Sequence, residues 1–400
     1  MFSMNSWHIP DGFRFAGIHC GLRAAEPGRR DLALIVSDRP ASAAAVFTQN
    51  RVAAAPVRVS RERVPRADAR GIVVCSSNAN ACTGAQGIAD ARQMAALTAT
   101  ELGCAEEQVL VASTGVIGRM LPMQVFETGI PAAANVLSAT QSSADDASQA
   151  ILTTDTVKKV SSRSISIGGR TVRLLGFAKG AAMIGPNMAT MLAFLMTDAA
   201  VAPNDLQSAL KRGVDRSFNC ISVEGHMSTN DSVFLLANGA GTPLTGEALA
   251  EFAAAVQGVC KDLAKAIAAD AEGSTHLITI EVEGSRNDAE AHRIAKTVAE
   301  SALVKTAFYG ADPNWGRFVS AAGYAGVPFE EEQLTVWLGD IELYRNGAPM
   351  PIDLPTVSAF IKQHRDLTLR YRFTLGTGSC TFWTCDLTEE YIRLNSEYTT

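Results

Sequence analysis

Two patterns of apolar residues alternate along this chain. Short apolar runs bounded by turn-forming residues are typical of buried strands, and apolar residues at three- or four-residue spacing are typical of helices. The runs that predict strands are 31–37, 44–48, 57–60, 71–76, 109–113, 221–224, 233–237, 277–283, 334–343 and 367–375. The helical pattern covers 88–102, 205–218, 246–269, 287–304 and 356–364, while 138–148 is either an exposed helix start or a surface connection. We therefore predict a layered α/β fold in which helices cover the faces of sheets.

Two segments carry sharper signals than the rest. Residues 164–167 and 171–174 are joined by Gly168-Gly169, which predicts a β-hairpin. The run from Met191 to Met196 is apolar throughout and has the length of a buried strand.

Composition and charge exclude several classes of protein. The 400-residue chain is 47% hydrophobic and 19% charged, which is ordinary for a globular protein with a substantial core. Its net charge of −6 and its lack of a long basic run argue against nucleic acid as a partner. No apolar stretch approaches the roughly 18 to 20 residues that span a bilayer, and the first residues do not form a secretory signal. We expect a cytoplasmic protein with no membrane partner.

The sequence also lacks the common cofactor motifs. Its eight cysteines are scattered and include no C-x-x-C pair, so neither a zinc site nor a disulfide framework is predicted. No G-x-G-x-x-G or G-x-x-x-x-G-K-[ST] element follows a predicted strand, so a nucleotide-binding fold has no support. We expect no metal and no tightly bound cofactor.

Thr190 is the first candidate for chemistry. It stands between Gly185-Pro186-Asn187, which can bend the backbone, and the apolar run that begins at Met191. If the bond between Ala189 and Thr190 were cut, the new α-amine would lie beside the threonine hydroxyl, as in N-terminal threonine catalysis. The alternative is a β-branched residue that merely starts a strand. We hypothesise that strain at the turn helps the Thr190 hydroxyl attack the Ala189 carbonyl.

Ser113-Thr114-Gly115 is the second candidate. A hydroxyl and a glycine N–H at the end of a strand can point together at a developing oxyanion, and losing one such donor typically costs about 10²–10³ in rate. The alternative is an ordinary turn, in which these residue types are common.

Two charged residues are candidates for substrate binding. Lys179 could orient a carboxylate, although an arbitrary lysine is more often solvated. Glu272 follows a predicted helix, where the helix dipole disfavours a carboxylate without a partner. The amine of a substrate would be such a partner, and solvation at the helix end is the alternative.

Three further segments have less specific signals. The segment 312–317 is dense in turn formers and either shapes a pocket wall or closes a loop. Ser228-Thr229-Asn230-Asp231 offers short polar side chains suited to capping or to hydrogen bonds near a site. We interpret His226 as a hydrogen-bonded structural histidine and not as a base.

Taken together, these segments resemble the ornithine acetyltransferase family, also called bifunctional glutamate N-acetyltransferase/amino-acid acetyltransferase. The matching segments run in family order through nearly the whole chain. They are STGVIG at 113–118, TTDT at 153–156, KGAAMIGPNMATML at 179–192, STND at 228–231, DAEG at 270–273, DPNWGR at 312–317 and NSEYTT at 395–400.

The resemblance implies an α/β sandwich of the N-terminal-nucleophile type that cleaves itself between Ala189 and Thr190. The products would be an α chain of residues 1–189 and a β chain of residues 190–400, which associate as two α and two β chains. The implied reaction moves an acetyl group from N²-acetylornithine to glutamate in arginine biosynthesis, and some family members also accept acetyl-CoA as a co-substrate.

The resemblance also implies roles for individual residues. Thr190 would be the nucleophile, and Thr114 and Gly115 would form the oxyanion hole. The implied substrate contacts are Thr153 or its neighbour Thr154, together with Lys179, Thr190, Glu272, Asn395 and Thr400. One pocket with a cation at Lys179 and an anion at Glu272 would suit both ornithine and glutamate.

The chain departs from the family pattern at a few positions. His226-Met227 stands where an acidic residue and a threonine are usual, and Cys220 replaces a residue that is often basic. We therefore keep three alternatives open: an altered acyl acceptor in a secondary pathway, an amide hydrolase or aminopeptidase that uses the same threonine, and a binding protein without activity.

Overall fold

The computed structural model describes residues 6–23, 26, 28–185 and 191–397. Within these residues the chain forms fifteen strands and eleven α-helices. The strands are β1 (Phe13–Ile18), β2 (Leu32–Phe47), β3 (Arg66–Asn78), β4 (Val109–Val116), β5 (Lys159–Ile167), β6 (Arg170–Lys179), β7 (Leu192–Thr197), β8 (Ile221–Ser222), β9 (Ser232–Ala237), β10 (Leu277–Ser285), β11 (Leu334–Leu338), β12 (Ile341–Arg345), β13 (Ala348–Pro349), β14 (Asp366–Phe373) and β15 (Gly378–Cys385). The helices are α1 (Ala55–Arg61), α2 (Gly84–Leu102), α3 (Met123–Asn135), α4 (Gln141–Ala150), α5 (Pro203–Asp215), α6 (Gly246–Ala269), α7 (Asp288–Glu300), α8 (Ala302–Tyr309), α9 (Trp315–Gly323), α10 (Leu354–Gln363) and α11 (Glu389–Glu397).

The strands form two mixed sheets. The first runs in the order β4-β3-β2-β9-β7-β6-β5, with β1 paired to β2, and the second runs β13-β12-β11-β14-β10-β15-β8. In the first sheet β3 and β4 are parallel, as are β7 and β9, and the other pairs are antiparallel. The predicted α/β class is therefore confirmed, with two sheets and helices against their faces.

Both faces of β7 are buried, as its uninterrupted apolar sequence predicts. Leu195 belongs to a continuous apolar core that includes α5, α6 and the inner face of the second sheet. Phe194, on the opposite face, stacks on Phe234 of β9 with 5.6 Å between ring centroids and packs with α4 and β1. The predicted buried strand after residue 190 is thus confirmed, and it lies inside the first sheet.

Several other predictions agree with the structure. The hairpin is present, since β5 and β6 pair in antiparallel register from Lys159 with Ala178 to Ile167 with Arg170. The segment 138–148 contributes to helix α4, and Thr140 begins it by accepting a hydrogen bond from the Ser143 N–H. Among the described residues no helix has both the length and the apolar content needed to cross a bilayer.

Some predicted elements are wrong in type or extent. Residues 57–60 lie in helix α1, where Pro56 occupies the first turn and Val57 and Val59 are buried. The predicted helix 287–304 is interrupted at Ser301, which caps α8 by accepting the Val304 N–H. The predicted strand 334–343 is a hairpin that turns at Gly339, whose φ is 57°.

Candidate active site

The predicted site residues come from separate elements. Thr114 and Gly115 lie at the end of β4, Lys179 ends β6, Glu272 follows α6 and Asn395 belongs to α11. Thr153 and Thr154 lie in the connection between α4 and β5. Ala189, Thr190 and Thr400 lie outside the described residues.

Lys179 and Thr114 are in contact. Lys179 Nζ lies 3.4 Å from Thr114 Oγ1, and the two residues are only 4% and 5% exposed. A solvated lysine, the alternative left open by the sequence, is therefore wrong. The contact places a buried cation beside the hydroxyl that was predicted to face an oxyanion.

Gly115 allows β4 to approach β3 unusually closely. Its φ is 129°, and a Cβ atom built on it would lie 2.2 Å from the backbone carbon of Ser77. Only glycine adopts such a conformation at that separation without displacing the neighbouring strand. The end of β4 is thus fixed by backbone packing and not by side chains alone.

The polar segment 228–231 supports the same strand end. Asn230 Nδ2 donates to the carbonyl of Ser113 at 2.8 Å and to that of Ala79 at 2.6 Å, while Thr229 Oγ1 donates to Asn230 Oδ1 at 2.6 Å. Buried backbone carbonyls that would otherwise be unsatisfied therefore have partners. The sequence indicated hydrogen bonding for this segment but not its target.

Asp231 is a buried carboxylate at the start of β7. Its Oδ1 accepts the Met191 N–H at 3.2 Å, and its side chain is fully inaccessible to solvent. Burial raises the pKa of Asp231 well above the usual range, against the opposing effects of the Met191 amide, the Ser228 and Thr48 hydroxyls and Lys179. A titratable group therefore lies beside the residue that follows Thr190, and the sequence did not single it out.

Lys179 lies among charges of both signs. Burial lowers its pKa and Lys159 adds to this effect, while Asp155, Glu272 and Asp231 oppose it. Asp155 is the strongest opposing group. The sequence reasoning included Asp155 only as part of a matching motif, and no local pattern marks it as buried.

Glu272 is joined to the last described helix. Asn395 Nδ2 donates to Glu272 Oε2 at 3.2 Å, and the Glu272 N–H donates to the Ala181 carbonyl at 2.9 Å. Gly273 has φ of 67°, and a Cβ on it would lie 2.6 Å from the Tyr391 nitrogen, so a glycine here lets α11 pack against the turn. The structure therefore brings together two residues that are 123 positions apart.

Thr153 and Thr154 are half-buried. The Thr153 N–H donates to Asp155 Oδ2 at 3.0 Å, and its carbonyl accepts a hydrogen bond from Arg29. These contacts use the backbone, so the choice between the two hydroxyls as a substrate contact stays open.

The segment 312–317 shapes a pocket wall, one of its two predicted alternatives. It lines an open cavity of about 490 Å³ together with Leu354, Pro355 and Ser358. None of the residues predicted for the active site lines this cavity, so it is a separate surface feature.

His226 and Cys220 have different surroundings. His226 is exposed, and no described residue hydrogen-bonds its side chain, so the prediction of a hydrogen-bonded structural histidine is wrong. Cys220 is buried, as predicted for most of the cysteines, and no cysteine forms a disulfide. The described residues contain no group of three or more His, Cys, Asp or Glu side chains placed to hold a metal ion.

Comparison with known proteins gives a consistent result. The model of the ArgJ family matches residues 14–400. The arginine biosynthesis bifunctional protein ArgJ of Synechococcus sp. is 49% identical over 98% of this chain and 96% of its own length. The protein of the same name from Geobacter sulfurreducens is 45% identical over 97% of this chain and 99% of its own. Among solved structures, the Bacillus halodurans protein of that name is 40% identical over 50% of this chain and 96% of the solved chain, with a TM-score of 0.49. The matches to the family model and to these relatives cover almost the full sequence, and the chain belongs to the ArgJ family.

Proposed function

We propose that this chain is a glutamate N-acetyltransferase of arginine biosynthesis, which moves an acetyl group from N²-acetylornithine to glutamate. The observation that carries the proposal is the buried contact between Lys179 and Thr114 at the end of β4. A cation and a hydroxyl held together away from water can stabilise negative charge far better than they would in solvent.

The charges of the site suit both substrates. Ornithine carries a carboxylate and a side-chain ammonium, and glutamate carries two carboxylates. Lys179 supplies a buried cation, and Glu272 supplies a carboxylate on a partly exposed turn. Either amino acid can therefore be bound in turn through pairs of opposite charge.

The nucleophile in this proposal is Thr190, exposed by cleavage after Ala189 into chains of residues 1–189 and 190–400. The Thr190 hydroxyl attacks the acetyl carbonyl of N²-acetylornithine, and its proton passes to the Thr190 amine. Thr114 and Gly115 donate hydrogen bonds to the resulting oxyanion. The C–N bond then breaks, the leaving nitrogen takes the proton, and ornithine departs.

The second half-reaction reverses these steps with a new acceptor. The glutamate amine attacks the acetyl ester on Thr190, the C–O bond breaks, and the hydroxyl recovers its proton. N-acetylglutamate is released, and no metal or bound cofactor takes part. Water is the competing acceptor, so the site must favour the amine.

Substrate contacts from Thr153 or Thr154, Asn395 and Thr400 are part of the proposal. So is an assembly of two copies of each chain in the cytoplasm. Acetyl-CoA remains an alternative acetyl donor, and a changed acceptor beside His226 remains an alternative specificity.

The test compares purified wild-type protein with Thr190→Ala, with Thr197→Ala as the control threonine. Intact mass analysis should give two fragments for wild type and for T197A and one full-length chain for T190A. Wild type given N²-acetylornithine should release ornithine much faster with glutamate present, with an acetyl adduct on the fragment that begins at Thr190. An uncleaved yet active protein would contradict the role of Thr190, and release indifferent to glutamate would indicate a hydrolase.

A further inference from the structure

A buried network of charges lies behind Lys179, and the proposed reaction does not use it. Its centre is Asp155, whose side chain is fully inaccessible. Asp155 Oδ1 accepts the Gly180 N–H at 2.6 Å and lies 2.5 Å from Lys159 Nζ, while Oδ2 accepts the Thr153 N–H at 3.0 Å. One carboxylate therefore connects a candidate substrate loop with the residue that follows Lys179.

Lys159 ties this carboxylate to a second one. Its ammonium is fully inaccessible and lies 2.5 Å from Asp155 Oδ1 and 2.5 Å from Asp270 Oδ2. Asp270 also accepts the Thr156 N–H at 3.0 Å and is the C-terminal cap of α6. Glu272 is two residues further along the chain, so the network joins the Lys179 end of the site to the Glu272 end.

The charges in the network are not evenly paired. Lys159 has two carboxylates in direct contact, whereas no described carboxylate forms an ion pair with Lys179 within 4.0 Å. A buried ammonium without a compensating charge is strongly disfavoured and tends to lose its proton. Asp155 is the largest influence opposing that loss, and the nearby lysines hold the pKa of Asp155 itself at about 2.

We propose that Asp155 is a positioning residue that keeps Lys179 in its ammonium form, and that Lys159 anchors Asp155 through Asp270. This inference rests on the proposed function, in which the Lys179 ammonium binds a substrate carboxylate. Asp155 does not touch the substrate in this proposal. Its effect reaches the reaction through the charge of Lys179.

The test is the pH dependence of glutamate use in Asp155→Asn. Four charged groups influence Lys179, namely Asp155, Lys159, Glu272 and Asp231, and the substitution removes only the first. Since the lost charge opposed deprotonation, the pKa of Lys179 should fall further. The alkaline limb of kcat/KM for glutamate should therefore move about one pH unit or more toward acid, with about a tenfold higher KM at pH 8 and partial recovery at lower pH.

Two matched variants separate charge from shape. Asp155→Glu keeps the charge and should keep the alkaline limb close to that of wild type. Asp262→Asn makes the same chemical change in an exposed ion pair with Arg163 and should leave the profile unchanged. If Asp155→Asn is insoluble, Asp155→Ser removes the same charge with a smaller side chain.

Three results would overturn the inference. One is an equal loss at every pH in D155N with an unmoved limb, which is the signature of a purely structural role. Another is the same shift in D155E as in D155N. The third comes from calorimetric titration of glutamate between pH 6 and 9, if binding weakens equally in both proteins. Because that titration needs no turnover, failure of wild type to transfer acetyl would count against the proposed function and not against Asp155.

Discussion

The side-chain amide of Asn395 donates a hydrogen bond to the Glu272 carboxylate across 3.2 Å. This bond connects α11 with the turn that follows α6. The second oxygen of Glu272 is left available for another donor, and an ammonium group would form the stronger, charge-assisted bond.

Replacing Glu272 with Gln should therefore weaken the use of N²-acetylornithine. Glutamine keeps the size of the side chain and can still accept the Asn395 hydrogen bond, but it loses the charge. A hydrogen bond to a charged group contributes about 1.5–3 kcal/mol, so kcat/KM for N²-acetylornithine should fall roughly 10- to 150-fold. Steady-state kinetics would measure the change, with Glu389→Gln in the exposed first turn of α11 as the control. Equal kinetics for E272Q and E389Q would remove Glu272 from the site.

Replacing Gly115 with Ala should disrupt the end of β4. The added Cβ would lie 2.2 Å from a backbone carbon of Ser77 at a φ of 129°, and backbone atoms cannot move aside without shifting β3. We expect a loss of about 3 kcal/mol or more in the free energy of unfolding, with loss of activity. Gly118→Ala is the matched control because its φ is 81° and its Cβ would meet nothing within 4 Å, so about 1 kcal/mol is expected. Denaturant unfolding compares the two, and similar losses would show that the contact with Ser77 is unimportant.

Glu224 should make the protein less stable as pH rises toward neutrality. No described group donates a well-formed hydrogen bond to either of its buried carboxylate oxygens. Burial raises its pKa from 4.5 to about 7, although backbone amides of Ile184, His226 and Met183 and the charge of Lys305 oppose this shift.

The sign of the effect follows from proton binding. Between about pH 4.5 and pH 7 the folded state keeps a proton on Glu224 that the unfolded state has lost, so stability falls as pH rises through this window. Glu224→Gln removes the effect and should be more stable than wild type at pH 8, by on the order of 1–3 kcal/mol, and about equal at pH 4. Urea unfolding at both pH values checks this, with the exposed Glu251→Gln as the control. A pH-independent difference between E224Q and wild type would contradict it.

Local sequence was informative wherever the pattern itself decides the structure. The continuous apolar run of β7, the Gly168-Gly169 hairpin and the periodic helix α6 were all predictable, because burial and turn geometry impose these patterns. The helix α1 was mistaken for a strand because Val57 and Val59 favour strands intrinsically, while packing against the core favours the helix.

The site was predictable only in part. Family motifs indicated Lys179, Thr114 and Glu272, but nothing local shows that Lys179 is buried or that it contacts a hydroxyl 65 positions away. Asp155, Lys159 and Asp270 come together only when β5 pairs with β6 and α6 packs against them. Long-range pairing of this kind leaves no periodic trace in a single sequence.

The strand order of the first sheet has a consequence for a chain cut before residue 190. Strands β7 and β9 would then belong to one polypeptide and would be held on both sides by strands of the other, with β2 along one edge and β6 along the opposite edge. Neither product would own an intact sheet, so pulling them apart would mean breaking two hydrogen-bonded ladders and baring the aromatic stack of Phe194 and Phe234. Scission at that bond would change the covalent connectivity and leave the two pieces interlocked.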